Sequence, residues 1–243
     1  MDSKRSIGLC STCLVDQFMP EIGVATVKVL RRAGCRVDFP PEQTCCGQPF
    51  FNSGFKKQAA GLATRTIEIF EPYEAVVLPS GSCTTMIRKE YPHLLAGDTH
   101  WKQRAESLAS KTFELSEYLV DQAEWEPAGK VDKNKSVTYH DSCHMKRMLG
   151  IEEPPRQLLV DSGFSLREMQ ESDRCCGFGG LFSLRIPEVS NAMTAEKLRL
   201  GAAAEADFLV TADPGCLMQM RGLAGENGEQ IQHLAIVLEE MTR

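Results

Sequence analysis

Gln43-Thr44-Cys45-Cys46-Gly47 returns 130 positions later as Asp173-Arg174-Cys175-Cys176-Gly177, and other cysteines keep the same step: Cys13 maps onto Cys143, and Cys83 onto Cys216 with three extra residues. Cys10 finds no cysteine at that offset. Each motif follows a short apolar run, at 6–9, 35–39 and 75–78 in the first half and at 137–139, 164–169 and 208–211 in the second, which predicts strands. Between them, 22–33 and 190–200 read as helical stretches, with Val24, Val27, Leu30 and Arg31 at helical spacing in the first and Met193, Lys197 and Leu200 in the second. Strand, helix, strand in each half predicts an α/β fold of two pseudo-symmetric Cys-Cys-Gly repeats, each a small, mostly parallel sheet flanked by helices. The polar, Pro- and Gly-containing segment at 127–135 reads as a linker between domains at 1–126 and 136–243.

The 27 basic and 33 acidic residues among 243 give a net charge of −6, which argues against a nucleic-acid binder. With 42% hydrophobic and 25% charged residues the chain is ordinary globular material. The N-terminal apolar patch is broken too early for a signal-peptide core, and the longest apolar runs are strand-sized. The expectation is a cytoplasmic protein with no membrane span. Ten cysteines are too few for a disulfide scaffold of this length, and in a reducing compartment they read as metal or redox groups.

In parallel sheets ligands gather beyond the carboxyl ends of strands, and every repeated cysteine follows a strand or lies in a loop after one. Two candidate sites result, Cys13, Cys45, Cys46 and Cys83 in one half and Cys143, Cys175, Cys176 and Cys216 in the other. Soft thiolates select Zn²⁺, Cu(I) or iron–sulfur clusters and exclude calcium and magnesium. Adjacent cysteines converge only in a turn, where Gly47 or Gly177 relieves the steric limit on φ. The repeated sets lack the C-x₂₋₄-C pairs of zinc fingers, which favours iron–sulfur centres; zinc in one or both sites is the alternative.

The motifs QTCCGQPFFNSG, PSGSC, YHDSCHMKRMLGI, CCGFGGLFS and GCLMQ, followed by HLAIVL, carry a resemblance over essentially the whole chain. It resembles the cysteine-rich CCG-domain proteins, among them the cysteine-rich subunit of heterodisulfide reductase and the glycolate oxidase iron–sulfur subunit, and most closely the lactate utilization protein A family. The resemblance implies an iron–sulfur electron-transfer subunit, an oxidoreductase component acting with partner subunits, including a ferredoxin-like iron–sulfur protein, to oxidise L-lactate to pyruvate. The eight cysteines become cluster ligands, one cluster per repeat. The heterodisulfide reductase pattern ends each repeat in Cys-x-x-Cys, whereas Thr84-Thr85-Met86 follows Cys83 here and Leu217-Met218-Gln219 follows Cys216. Four thiolates per site suit a [4Fe–4S] cubane.

Competing readings are a structural zinc module and a thiol or disulfide reductase, the latter weakened by those missing cysteines. Cys10 and Cys13 form a C-x-x-C pair without the flanking pattern of a redox dithiol. Cys35 reads as a small core residue. His140 and His144 flank Cys143 and read either as tuning or ligating groups or as packing residues. Lys146, Arg147 and Arg185 would favour an anionic centre or a substrate carboxylate, or lie solvated. Gly177-Phe178-Gly179-Gly180 lacks the third glycine of a dinucleotide fingerprint, so nothing supports a hydride-accepting cofactor, and lactate oxidation would need partners. Tyr118 and Leu119 read as packing residues.

Overall fold

Ala75-Val76-Val77-Leu78 is apolar without alternation, the pattern of a strand covered on both faces, and all four residues are buried. The computed structural model describes residues 6–127 and 135–241. These fall into two units that divide between Ala123 and Glu124. The linker expected at 127–135 lies almost wholly outside the described residues.

The first unit holds β1 (Ser6–Leu9), β2 (Arg36–Asp38), β3 (Ala75–Leu78) and β4 (Thr112–Glu114) in the order β2-β1-β3-β4, every pair parallel. The second repeats it with β5 (Ser136–Tyr139), β6 (Ser165–Leu166), β7 (Phe208–Thr211) and β8 (Ile231–His233), ordered β6-β5-β7-β8. The registers correspond: Ile7 faces Ala75, and Val137 faces Phe208. The fold is the expected α/β pair of parallel sheets with flanking helices.

Each sheet gains a fourth, three-residue strand that the sequence pattern does not predict, β4 and β8. The runs expected at 35–39 and 164–169 shrink to Arg36–Asp38 and Ser165–Leu166 because both are edge strands, paired on one side only. The helix Pro20–Arg32 starts on proline and buries Ile22, Ala25, Thr26, Val29 and Leu30. Its inward stripe is therefore one step away from the Val24–Val27 line; Val24 is 54% exposed. In Pro187–Ala203, Lys197 and Leu200 are buried as the spacing predicts, together with Ser190 and Thr194. Among the described residues no helix is long and apolar enough to cross a membrane.

The order of strands reverses between β1 and β3 and again between β5 and β7, so the chain leaves these neighbours in opposite directions. Such a switch point opens a crevice at the carboxyl ends of the strands.

Candidate metal centres

Both crevices are lined with sulfur. After β1, Cys13 opens the helix Cys13–Phe18; after β5, Cys143 immediately precedes the helix His144–Leu149. Cys83 lies in the helix Gly81–Thr85 beyond β3, its N–H donating to Ser80 Oγ at 3.3 Å. Cys216 lies in Pro214–Ala224 beyond β7, where Asp213 Oδ1 accepts from the N–H groups of Gly215 at 3.0 Å and Cys216 at 3.4 Å. The Cys-Cys-Gly turns are alike: Gly47 has φ +88° and Gly177 φ +90°, and each donates its N–H to the sulfur two residues back at 3.4 Å. The left-handed glycine folds the backbone onto its own cysteine, as the sequence requires.

Longer-range contacts hold each turn. Tyr91 donates its hydroxyl to Cys46 O at 2.7 Å, and Gln48 Nε2 donates to Ser82 O at 3.0 Å. In the second repeat Thr194 Oγ1 donates to Cys176 O and Ser190 Oγ to Gly177 O, both at 2.8 Å. Gln219, the last residue of the GCLMQ motif, donates to both of those hydroxyl oxygens at 3.0 Å. The spacing between motifs thus builds a hydrogen-bonded frame around the sulfurs.

All eight predicted cysteines come together, four in each unit. Cys46 Sγ lies 3.3 Å from Cys83 Sγ, and Cys45 accepts from Cys13 and Cys46. The second unit repeats this chain through Cys143, Cys175, Cys176 and Cys216. Cys46, Cys83, Cys176 and Cys216 are buried; Cys13, Cys45, Cys143 and Cys175 form a half-exposed rim. Hydrogen bonds donated by Cys13 and Cys46, with help from Gly47 N–H, bring the Cys45 thiol down to about 3. Cys175 is lowered in the same way by Cys143 and Cys176. The donors Cys13, Cys46, Cys143 and Cys176 are pushed up, first by the bond each gives to its neighbour and then by burial.

Within each quartet, then, hydrogen bonding favours the thiolate at one half-exposed sulfur, Cys45 or Cys175. The positive charge of a metal centre is what lets the other sulfurs ionise. The donor chemistry fits a soft metal or an iron–sulfur cluster. Ser11 Oγ and Thr12 Oγ1, buried beside Cys13, and both ring nitrogens of buried His140 have no hydrogen-bond partner among the described residues. Polar atoms of this kind fit a site that receives a further group.

The second centre has a charged surround. Arg156 holds the buried Asp141 with two hydrogen bonds, 2.8 and 2.7 Å, and Lys146 Nζ stands 3.7 Å from the same carboxylate. Burial opposes ionisation of Asp141, but the hydrogen bonds of Arg156 and Ser172 together with the charges of Arg156 and Lys146 more than offset it, and its carboxyl lies below the usual range. Lys146 also pairs with Glu152 at 2.6 Å and Arg147 with Asp173 at 3.1 Å, so these two cations brace the loops. Arg185 ends the helix Leu181–Arg185.

Lys197, which the sequence places only on a helix face, has a part in this frame. It is fully buried, with Nζ donating to Glu171 O at 2.8 Å and Ser172 O at 3.0 Å, and burial lowers it to about 8. It ties the segment before Cys175 to the helix Pro187–Ala203. His144 Nδ1 lies 3.7 Å from Cys143 Sγ. Cys10 is buried and close enough to Cys83 and Cys45 to feel their charge. Cys35 is a buried core thiol, and Tyr118 and Leu119 pack in the first unit as expected.

A duplicated parallel sheet with a four-cysteine site at each switch point defines the class: this is a protein of the cysteine-rich domain family CCG, which matches residues 7–88 and again 137–221. Within that class the chain belongs to the lactate utilization protein A family. It is 44% identical to lactate utilization protein A of Geobacillus kaustophilus over 235 residues, covering 96% of this chain and 98% of the relative. The corresponding protein of Shouchella clausii is 46% identical over 236 residues, with the same coverage. That of Bacillus subtilis is 44% identical over 235 residues, again 96% and 98%. Among solved structures, a hypothetical protein from Helicobacter pylori superposes with a TM-score of 0.74 at 12% identity, which speaks for the fold alone. The match covers 98% of this chain but 49% of that one, so the chain spans about half the length of that structure.

Proposed function

We propose that this protein serves lactate utilization as an iron–sulfur electron-transfer component, working with partner subunits that oxidise L-lactate to pyruvate. The observation that carries the proposal is the pair of four-cysteine quartets, each at a sheet switch point, in a chain whose relatives are named for lactate utilization. Cys13, Cys45, Cys46 and Cys83 would hold one cluster, and Cys143, Cys175, Cys176 and Cys216 the other. Bound clusters of the [4Fe–4S] type supply one-electron redox chemistry.

The chain's own contribution is to hold and shield. Cys46, Cys83, Cys176 and Cys216 form buried floors that exclude water, and the half-exposed cysteines leave each centre within reach of a partner. A cleft lined by Thr12, Cys13, Gln17, Phe39, Gln43 and Cys45 opens at the first rim. Partner subunits, including a ferredoxin-like iron–sulfur protein, supply the hydride-level chemistry on lactate, for which this chain's motifs offer no cofactor site. Thr84-Thr85-Met86 and Leu217-Met218-Gln219, in place of a final Cys-x-x-Cys, count against a disulfide reductase.

The test is anaerobic purification with iron, sulfide and zinc analysis and an electron paramagnetic resonance spectrum of the reduced sample, repeated on Cys46→Ser and Cys176→Ser. Two clusters' worth of iron and sulfide, half lost in each variant, is the expected result. Zinc alone, with no iron after anaerobic reconstitution, would overturn the proposal and leave a structural zinc protein.

A further inference from the structure

His140 stands at the 130-residue offset from Cys10. The backbones agree: Cys10 N–H donates to Val77 O at 3.1 Å and His140 N–H to Val210 O at 2.8 Å, each directly after the first strand of its sheet. The two repeats therefore put a donor side chain at one and the same place, sulfur in the first and imidazole in the second.

The imidazole is fully buried and neither Nδ1 nor Nε2 has a hydrogen-bond partner among the described residues. A ring nitrogen of His140, Cys176 Sγ and Cys216 Sγ all lie within 4.8 Å of one another. Sulfur and nitrogen ligands at about 2.3 and 2.0 Å from one metal stand roughly 3.5–4 Å apart, so this spacing matches donors that share a centre. Imidazole nitrogen and thiolate are compatible ligands for iron and for zinc.

We propose that His140 is a nitrogen ligand of the C-terminal centre, taking the position of one of the two half-exposed cysteines beside the buried Cys176 and Cys216, which makes that centre a mixed histidine–cysteine site while the N-terminal centre, with Cys10 in the equivalent position, is all sulfur. The inference rests on the metal-centre reading above. Its consequence is an inequality between two otherwise matching sites. A neutral imidazole adds no negative charge where a thiolate would, and histidine for cysteine ligation raises the reduction potential of an iron–sulfur centre. The C-terminal centre is then the one reduced first.

The test uses the full chain, reconstituted anaerobically with iron and sulfide, in a Cys45→Ser/Cys46→Ser background that silences the first site. Pulsed electron paramagnetic resonance of the reduced sample reads nitrogen bound to the paramagnetic centre, and biosynthetic ¹⁵N-histidine replaces the ¹⁴N signal without any change in sequence at His140. The expected result is a strong histidine nitrogen coupling that follows the isotope, disappears in His140→Ala and persists in His144→Ala. In redox titration the C-terminal potential falls in His140→Cys, toward that of the N-terminal centre. An iron signal without strong nitrogen coupling, or a coupling lost in His144→Ala instead, overturns the inference and leaves the electron-transfer proposal standing. Absence of iron from the second site overturns both.

Discussion

The carbonyl oxygen of Ser190 lies 2.5 Å from the point where a Cβ on Gly177 would stand. Thr194 Oγ1 is 2.8 Å from the same point, and Gly177 has φ +90°. At Gly47 the nearest atom, Ala59 O, is 3.3 Å away at a similar φ of +88°. Both turns need the left-handed conformation, which costs a non-glycine residue about 1–2 kcal/mol, but only in the second would the Cβ overlap backbone outright; at Gly47 the contact with Ala59 O is merely tight. Gly177→Ala should therefore cost about 3 kcal/mol or more and strip metal from the C-terminal site, whereas Gly47→Ala should cost about 1–2 kcal/mol and retain it. Thermal unfolding with metal analysis of both variants checks this; equal losses would contradict it.

Arg156 matters through Asp141, whose carboxylate is 1% exposed. Arg156→Met leaves the buried carboxylate to the hydrogen bond with Ser172 and to the charges of Lys146, at 3.7 Å, and Lys197, beside the loop that carries Cys143. Removing one partner of a buried pair costs about 3–5 kcal/mol, so the variant should unfold at a markedly lower temperature. Arg156→Met/Asp141→Asn should recover part of that loss, because it removes the orphaned charge as well. The folded carboxyl lies below its unfolded value, so the contribution is full above about pH 4 and lost as pH falls through the folded value. A double variant no more stable than the single one would contradict this account.

The repeat, the parallel α/β class and the eight clustered cysteines are legible because each is written in residue type and spacing. The runs at 6–9, 75–78 and 208–211 become strands at those same residues. By contrast, Thr112–Glu114 and Ile231–His233 are too short to show a period and are strands only because β3 and β7 offer them parallel partners. Lys197 looks like a polar position on a helix; its partners, the Glu171 and Ser172 carbonyls, are 26 and 25 residues away and exist only once the loop is folded. His140 sits at the repeat's own offset, yet an offset comparison confined to cysteines passes over it. The frame around the sulfurs escapes sequence for the same reason: Gln219 to Ser190 and Tyr91 to Cys46 are tertiary pairs.

Glu114 gives the first unit a pH dependence. Its carboxyl is fully buried beside Ser116, and burial raises it from 4.5 to about 8. A group raised on folding contributes its stability below the unfolded value and loses it as pH climbs through the folded one. Stability should thus decline between about pH 5 and pH 8, by a few kcal/mol at most. Glu114→Gln should flatten that part of the curve, as denaturant unfolding at pH 5, 6.5 and 8 would reveal. An unchanged slope would exclude Glu114 as its source.

Cys45 and Cys175 should be the reactive sulfurs of the metal-free protein. Each is half-exposed, and each is held as a thiolate by the thiols that donate to it, Cys13 and Cys46 in one case and Cys143 and Cys176 in the other. Alkylation proceeds through the thiolate, so an ordinary thiol slows about tenfold per pH unit below its own value. With its thiol lowered to about 3, Cys45 should react at nearly the same rate at pH 5 as at pH 7. Cys46 and Cys176, buried and raised, should stay unlabelled until the protein unfolds. Iodoacetamide labelling of apo protein across that pH range, read by peptide mass spectrometry, separates the positions. Replacing the donor should restore ordinary behaviour: in Cys13→Ala, Cys45 loses its largest stabilising bond, and its labelling at pH 5 should fall relative to pH 7. A labelling order led by Cys13 and Cys143 would show that the charge rests on the other member of each pair.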